Sequence, residues 1–194
     1  MLAKCTVYKK YVEQYLAKRK AKHPFMKPVK VQKFADNEEQ DSMKQCHLVS
    51  YILLEQFLDE LQQLDKGRAL EVAAGDGRTT KDLLRHRFEK VDCFDRCPVA
   101  VKKLEALRAK YPKIDLVDQA TMQGYVWQRQ YTGIFLRWCS GYLTDQELVA
   151  FLKTAANQLQ PSAVKTTRHH SPGAFIFVFD NVLGPKERAV SVKG

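Results

Sequence analysis

The sequence predicts an α/β domain with a mainly parallel sheet and flanking helices. Three observations predict it. Short runs rich in β-branched and aromatic residues alternate with helical stretches, the pattern of right-handed β-α-β units. The first run opens onto a glycine turn, "EVAAGDGR", which is where an open parallel sheet holds its ligand. The second run ends in an acid, Asp95, twenty residues after Gly75.

Each element has its own signal. Between Leu2 and Ala21, Val7, Tyr8, Tyr11, Val12, Tyr15 and Leu16 recur at three- and four-residue steps, which predicts a helix. Its basic residues, Lys9, Lys10, Lys18, Arg19 and Lys20, fall mostly elsewhere on the wheel. The tyrosine stripe suits docking on the protein's own core or on a partner better than stacking on bases. His23–Pro24 and Lys27–Pro28 break this helix, and Asp36 to Asp41 forms an acidic connector. A second helix is predicted over Ser42 to Leu64, on the spacing of Leu48, Ile52, Leu53, Phe57, Leu61 and Leu64, with Gly67 just past its end. Strands follow at Ala69–Val72, Val91–Phe94, "KIDLVD", "YTGIFLRW" and "AFIFVFDN". The intervening helices are predicted over Thr79–Phe88, Pro98–Lys110 and Thr144–Leu159. The expected organisation is a basic helical arm and linker over residues 1–41 and an α/β domain over residues 42–194.

Charge is unevenly spread along the 194 residues. Of the net +10, nine charges lie between Met1 and Phe34, where ten Lys or Arg face one acid, Glu13. A near-neutral domain therefore carries a basic arm. Such an arm is a solvated tail, or it meets nucleic acid, an acidic protein or an acidic membrane surface. It is acid-poor like an organelle presequence, although it is Lys-rich and lacks the Ser those favour. The five cysteines are scattered without a CxxC pair, which suits a reducing interior and no disulfide framework. No apolar run reaches the roughly 18–20 residues of a membrane span. An intracellular protein is expected, with the mitochondrion favoured over cytoplasm and nucleus. Neither Cys93–Cys97 nor His169–His170 has the further ligands a metal needs, so no metal site is expected.

The turn narrows the chemistry. Gly75 and Gly77 stand where backbone must turn sharply or pass close to a ligand. No GxGxxG and no Gly-Lys-Ser/Thr follows, which argues against nicotinamide enzymes and P-loop NTPases. Asp95 stands where an acid accepts hydrogen bonds from ribose hydroxyls, and Arg78 where a guanidinium pairs with a carboxylate. A ribose and a carboxylate on one small ligand describe S-adenosylmethionine.

The runs "AGDGRTTKDLL", "LRWCSGYLTDQELVAFLKTAANQLQP" and "FIFVFDN" together resemble the protein α-N-terminal methyltransferase family, over about Ala69 to Asn181. The Trp138 to Asp145 run, W-x-x-G-x-L-T-D, is the specific part. The resemblance implies a Rossmann-like class I methyltransferase fold and S-adenosylmethionine as methyl donor. It assigns donor binding to Gly75, Gly77, Arg78 and Asp95, and adenine contact to Ala120, Thr121 and Met122. It places Trp138 in the peptide pocket and Asn181 on the substrate amine.

Departures from the family pattern are as informative. Ala73 replaces a glycine, and Arg137 replaces a donor-binding glutamine, where a cation repels a sulfonium or pairs with a carboxylate. Tyr142 stands at the catalytic histidine. A phenol, ordinarily titrating near about 10, is a poorer base than an imidazole near about 6.5. No glycine-rich gate precedes the core, and after Asn181 the chain offers only "VLGPKERAVSVKG", so the second catalytic acid and the closing C-terminal strand pair are expected to be missing. A sheet edge left open in that way calls for a protein partner. The loop Ser162–Pro172, with Lys165, Arg168, His169 and His170, is a basic insertion suited to phosphate contact.

Together these features point to a methyltransferase-like pseudoenzyme serving as a structural or binding subunit of a larger assembly, such as a mitochondrial ribonucleoprotein. RNA is its expected partner through residues 1–34 and 162–172. The alternative is an active methyltransferase acting on a protein N-terminus or another amine. A methyltransferase acting on RNA is a third reading, for which no distinctive nucleobase motif is present.

Overall fold

The computed structural model describes residues 51–59, 66–160 and 173–180. The chain divides into two compact units, Met1–Phe57 and Leu58–Gly194. Of the first, residues 51–57 are described and are helical, within the helix expected over Ser42 to Leu64. The helical arm and the acidic connector lie outside the described residues.

Five strands build the second unit: β1 (Arg68–Val72), β2 (Lys90–Asp95), β3 (Ile114–Gln119), β4 (Gly133–Arg137) and β5 (Phe175–Phe179). They form one sheet in the order β3-β2-β1-β4-β5, with every neighbouring pair parallel. Each expected strand is present, with ends moved by one or two residues. Runs such as Gly133 to Leu136 of β4 are apolar without alternation because a parallel sheet is covered on both faces.

Successive residues of a strand serve opposite layers. Leu70, Val72, Phe94, Ile134 and Leu136 face one side and pack with Phe151 and Ala155 of the helix Asp145–Asn157. Cys93, Ile114 and Val117 pack on the other with Leu104 of the helix Pro98–Lys110. Stacking of Phe94 on Tyr125, 4.1 Å between ring centres, extends the first layer. The start of Asp145–Asn157 is set by a capping box. Thr144 accepts from the Glu147 amide, and the Glu147 carboxylate accepts from the Thr144 amide at 2.8 Å. The helix after β1 departs from ideal form: Thr80–Leu84 is a π turn that continues as α-helix over Arg85–Arg87.

At the N-terminal end of the sheet lies an ion-pair network that strand periodicity did not announce. Asp92 of β2 has a fully buried side chain. Arg68 Nη1 donates to Asp92 Oδ1 at 2.7 Å and to Asp115 Oδ2 at 2.8 Å. Arg129 Nη1 donates to Asp92 Oδ1 at 3.2 Å and to Asp115 Oδ2 at 2.6 Å. Burial pushes the Asp92 carboxyl up, and the charges of Arg68 and Arg129 oppose it. The network joins β1, β2 and β3 to the segment before β4.

Among the described residues no strand pairs with the outer side of β5; residues 181–194 lie outside them. Also among them, no helix is long and apolar enough to cross a membrane. Replacing Asp92 with Ala removes the fully buried anion of the network, leaves Arg68 and Arg129 only the more exposed Asp115, and should destabilise the fold by about 3 kcal/mol. Asp115→Ala, at a more exposed position, should lose about 1 kcal/mol or less. Urea denaturation of the two variants checks the ranking.

Candidate functional site

In an open parallel sheet the ligand crevice lies beyond the strands' C-terminal ends, where the strand order reverses. Here that reversal is between β1 and β4. The turn after β1 has three residues in the left-handed region: Ala73 at φ 50°, Gly75 at φ 57° and Gly77 at φ 69°. The two glycines do different work. A Cβ on Gly77 would lie 2.6 Å from both Leu104 Cδ2 and Leu107 Cδ1, so Gly77 lets the turn pack on the helix Pro98–Lys110. A Cβ on Gly75 would meet nothing within 4 Å, so its backbone faces open space. Ala73 keeps the glycine-like conformation with a side chain attached, a strain of about 1–2 kcal/mol.

Asp95, buried at the tip of β2, organises this turn. Its Oδ2 accepts from the Gly75 amide and its Oδ1 from the Cys97 amide, both at 2.8 Å. Each carboxylate oxygen has a further lone pair for a hydroxyl donor. The Ala120 amide donates to the Asp95 carbonyl at 3.2 Å, which draws the segment after β3 to the same place.

Beneath the turn sits a residue that sequence reasoning missed. Glu71 of β1 is buried, and its Oε2 accepts from the Thr80 amide at 2.9 Å and from the Thr80 hydroxyl. Burial pushes its carboxyl up; the Thr80 hydrogen bond and the charge of Arg137 oppose that. Its one signal in the sequence was an acid in the middle of an apolar strand, "ALEVA". Arg137, at the tip of β4, donates through Nη1 to the Thr79 hydroxyl.

The loop after β4 forms the other wall. Trp138 takes φ 57°, donates its amide to the Phe179 carbonyl at 2.9 Å and packs its ring edge-on to Phe179. The Ser140 amide donates to Asp180 Oδ2 at 2.7 Å, which fastens this loop to the end of β5. Tyr142 is 63% exposed, and the Arg96 guanidinium carbon lies 4.9 Å from its ring centre. Arg96 follows β2 and Tyr142 follows β4. Those strands flank β1, so the contact spans the tip of β1.

Of the residues read from the sequence as a site, Gly75, Asp95 and Ala120 are joined directly. Trp138 and Tyr142 stand on the loop after β4. Arg78 is exposed, and its guanidinium donates to Asp76 Oδ2 at 2.9 Å. Burial pushes the Asp76 carboxyl up, but the hydrogen bonds and charge of Arg78 outweigh it and hold the group below its ordinary value. Thr121 accepts from the Gly124 amide within its own turn, and Met122 is buried in the core with Phe94 and Tyr125. Asn181 and the loop Ser162–Pro172 lie outside the described residues.

Two measurements follow from this geometry. Alanine at Gly75 should destabilise the fold by about 1–2 kcal/mol through backbone strain alone. Alanine at Gly77 should lose a further 1–3 kcal/mol, roughly, from overlap with Leu104 and Leu107; thermal unfolding compares them. Burial pushes the Cys139 thiol up to about 12, with Asp180 adding to the shift. Cys97 is exposed, whereas Cys93 and Cys139 are buried. Iodoacetamide mapping of the native protein should therefore label Cys97 and spare the other two until unfolding.

The profile of the family described as "AdoMet dependent proline di-methyltransferase" matches residues 41–181. The chain is 34% identical over 121 residues to "Alpha N-terminal protein methyltransferase 1" of Caenorhabditis elegans, covering 62% of this chain and 47% of that protein. It is 32% identical over 114 residues to "N-terminal Xaa-Pro-Lys N-methyltransferase 1" of Danio rerio, covering 57% and 51%. The chain thus spans about half the length of these relatives. A SAM-dependent methyltransferase of Leishmania major superposes with a TM-score of 0.57 at 22% identity, covering 79% of this chain and 57% of that one. The fold is that of a Rossmann-like class I methyltransferase. The chain belongs to the AdoMet dependent proline di-methyltransferase family, whose cofactor is S-adenosylmethionine.

Proposed function

We propose that this chain holds S-adenosylmethionine at the turn after β1, does not methylate protein N-termini, and serves as a binding subunit. The donor side fits the group. Gly75 presents backbone to open space, and Asp95 keeps lone pairs for the ribose hydroxyls. When bound, the donor supplies an electrophilic methyl group on a sulfonium, and an acceptor must present a neutral lone pair to it.

The contact of Arg96 with Tyr142 carries the reading for the acceptor side. An N-terminal amine arrives mostly as an ammonium and must lose a proton before it reacts. Tyr142 offers a phenol oxygen, a far weaker base than an imidazole nitrogen. The Arg96 cation beside it also opposes the approach of an ammonium group. Charge supports the remainder: residues 1–34 carry nine of the ten net positive charges, which suits RNA in an intracellular ribonucleoprotein, mitochondrial in the first instance. Val178, exposed on β5, suits a protein partner at that edge of the sheet.

A second reading is an active amine methyltransferase. Trp138 beside the site, and relatives named for Xaa-Pro-Lys methylation, favour it. Calorimetry with S-adenosylmethionine and its demethylated product should show binding, weakened about tenfold or more by Asp95→Ala. Incubation with labelled donor and Xaa-Pro-Lys peptides should give no transfer. Turnover by the wild type that Asp95→Ala abolishes would favour the second reading instead. Deleting residues 1–34 should weaken salt-sensitive RNA binding, and unchanged binding would remove the subunit role.

A further inference from the structure

We propose that Arg137 is a positioning residue: from the tip of β4 it grips Thr79 and, over the buried Glu71, holds the Gly75 turn against the sheet rather than binding the donor's carboxylate. This rests on the donor reading above and goes beyond it, because it assigns the arginine at this position a structural partner.

The two strands at the reversal of order, β1 and β4, are paired up to Val72 and Leu136. Beyond that point the backbones diverge and something else must join them. Arg137 does so through its hydrogen bond to the Thr79 hydroxyl, while Glu71 ties β1 to Thr80 of the turn that follows it. Thr79 and Thr80 are both buried, so the hydroxyl that Arg137 grips lies inside the fold, whereas Gly75 faces open space. A guanidinium held on Thr79 is aimed at the first turn of the following helix.

The charges explain why an arginine suits this place. A carboxylate buried as Glu71 is costly unless it is hydrogen-bonded and paired. Thr80 supplies the hydrogen bonds and Arg137 the opposite charge. The other titratable groups bearing on Glu71 include Cys93 of β2 and Cys139 after β4, buried thiols whose titration burial pushes up and which stay neutral. Without Arg137, Glu71 would take up a proton more readily. Where it stays ionised, its uncompensated buried charge would strain the Thr80 contact and loosen the turn. The sign with pH follows. A carboxyl raised above its ordinary value of 4.5 weakens the fold progressively as pH rises from there. Removing Arg137 deepens that loss at high pH and leaves the acid side little changed.

A double-mutant cycle in the full chain tests this, using Arg137→Gln, Glu71→Gln and the pair. In donor-free protein at about pH 8, Arg137→Gln should lower the thermal midpoint by about 10 °C, with the deficit shrinking toward about pH 5. Adding Glu71→Gln should recover most of it, since two neutral amides need no charge balance. If the single variant does not fold, folding of the double variant carries the same conclusion. Calorimetry should show Arg137→Gln weakening S-adenosylmethionine and its decarboxylated analogue by the same factor, on the order of tenfold, with recovery in the double variant. Loss confined to the donor that keeps its carboxylate would overturn the proposal in favour of direct contact. So would a double variant as unstable as the sum of its singles. If wild-type protein binds neither donor, the donor reading fails, and the donor-free cycle still decides whether Arg137 acts through Glu71.

Discussion

The carboxylate of Asp95 joins the loops on which the site rests. One oxygen takes the Gly75 amide and the other the Cys97 amide, so the turn after β1 and the start of the next helix share one anchor. The Ala120 amide on the carbonyl of the same residue adds the segment after β3. Both carboxylate bonds are charge-assisted and sit at a buried residue, where such bonds are stronger than in water. Gly75 can supply its amide because its backbone is left-handed, a conformation that favours glycine.

A second anchor lies one strand away. Arg137 connects β4 to Thr79 after β1 from inside, while Trp138 and Ser140 connect the loop after β4 to β5 from outside. The mouth of the sheet is therefore fastened strand by strand. The half around the turn after β1 is organised by backbone amides on acids. The half around the loop after β4 is organised by a tryptophan in strained backbone and by an arginine lying on a tyrosine. A cation and a phenol meet there across the tip of β1. At the opposite end of the sheet, Arg68, Arg129, Asp92 and Asp115 tie β1, β2 and β3 together, which leaves the ligand end free of that structural duty.

Much of this was legible before any coordinates. Alternating apolar runs gave five strands and their intervening helices, because the period of burial is a local property of the chain. The helix expected from Thr144 starts there, and the structure shows the capping box that sets its start. Gly75, Gly77 and Asp95 were legible because a sheet of this topology needs a tight turn after its first strand and an acceptor after its second. Ala73 shows the same logic from the other side: the position needs left-handed backbone, and the chain meets that need with strain.

What the sequence determined by itself was the order and kind of the elements, and the residues whose backbone demands are local. Partners were decided only in three dimensions. Arg78 turned to Asp76, Met122 entered the core, Arg137 reached Thr79, and Arg96 came to rest on Tyr142. The reason is physical. A long side chain goes to whichever opposite charge, hydroxyl or ring the packed strands bring within its reach, and strand order and register set that neighbourhood. Glu71 and Asp92 read as single acids in apolar strands, and their meaning appeared when folding brought Thr80 and Arg137 to the first and Arg68 and Arg129 to the second.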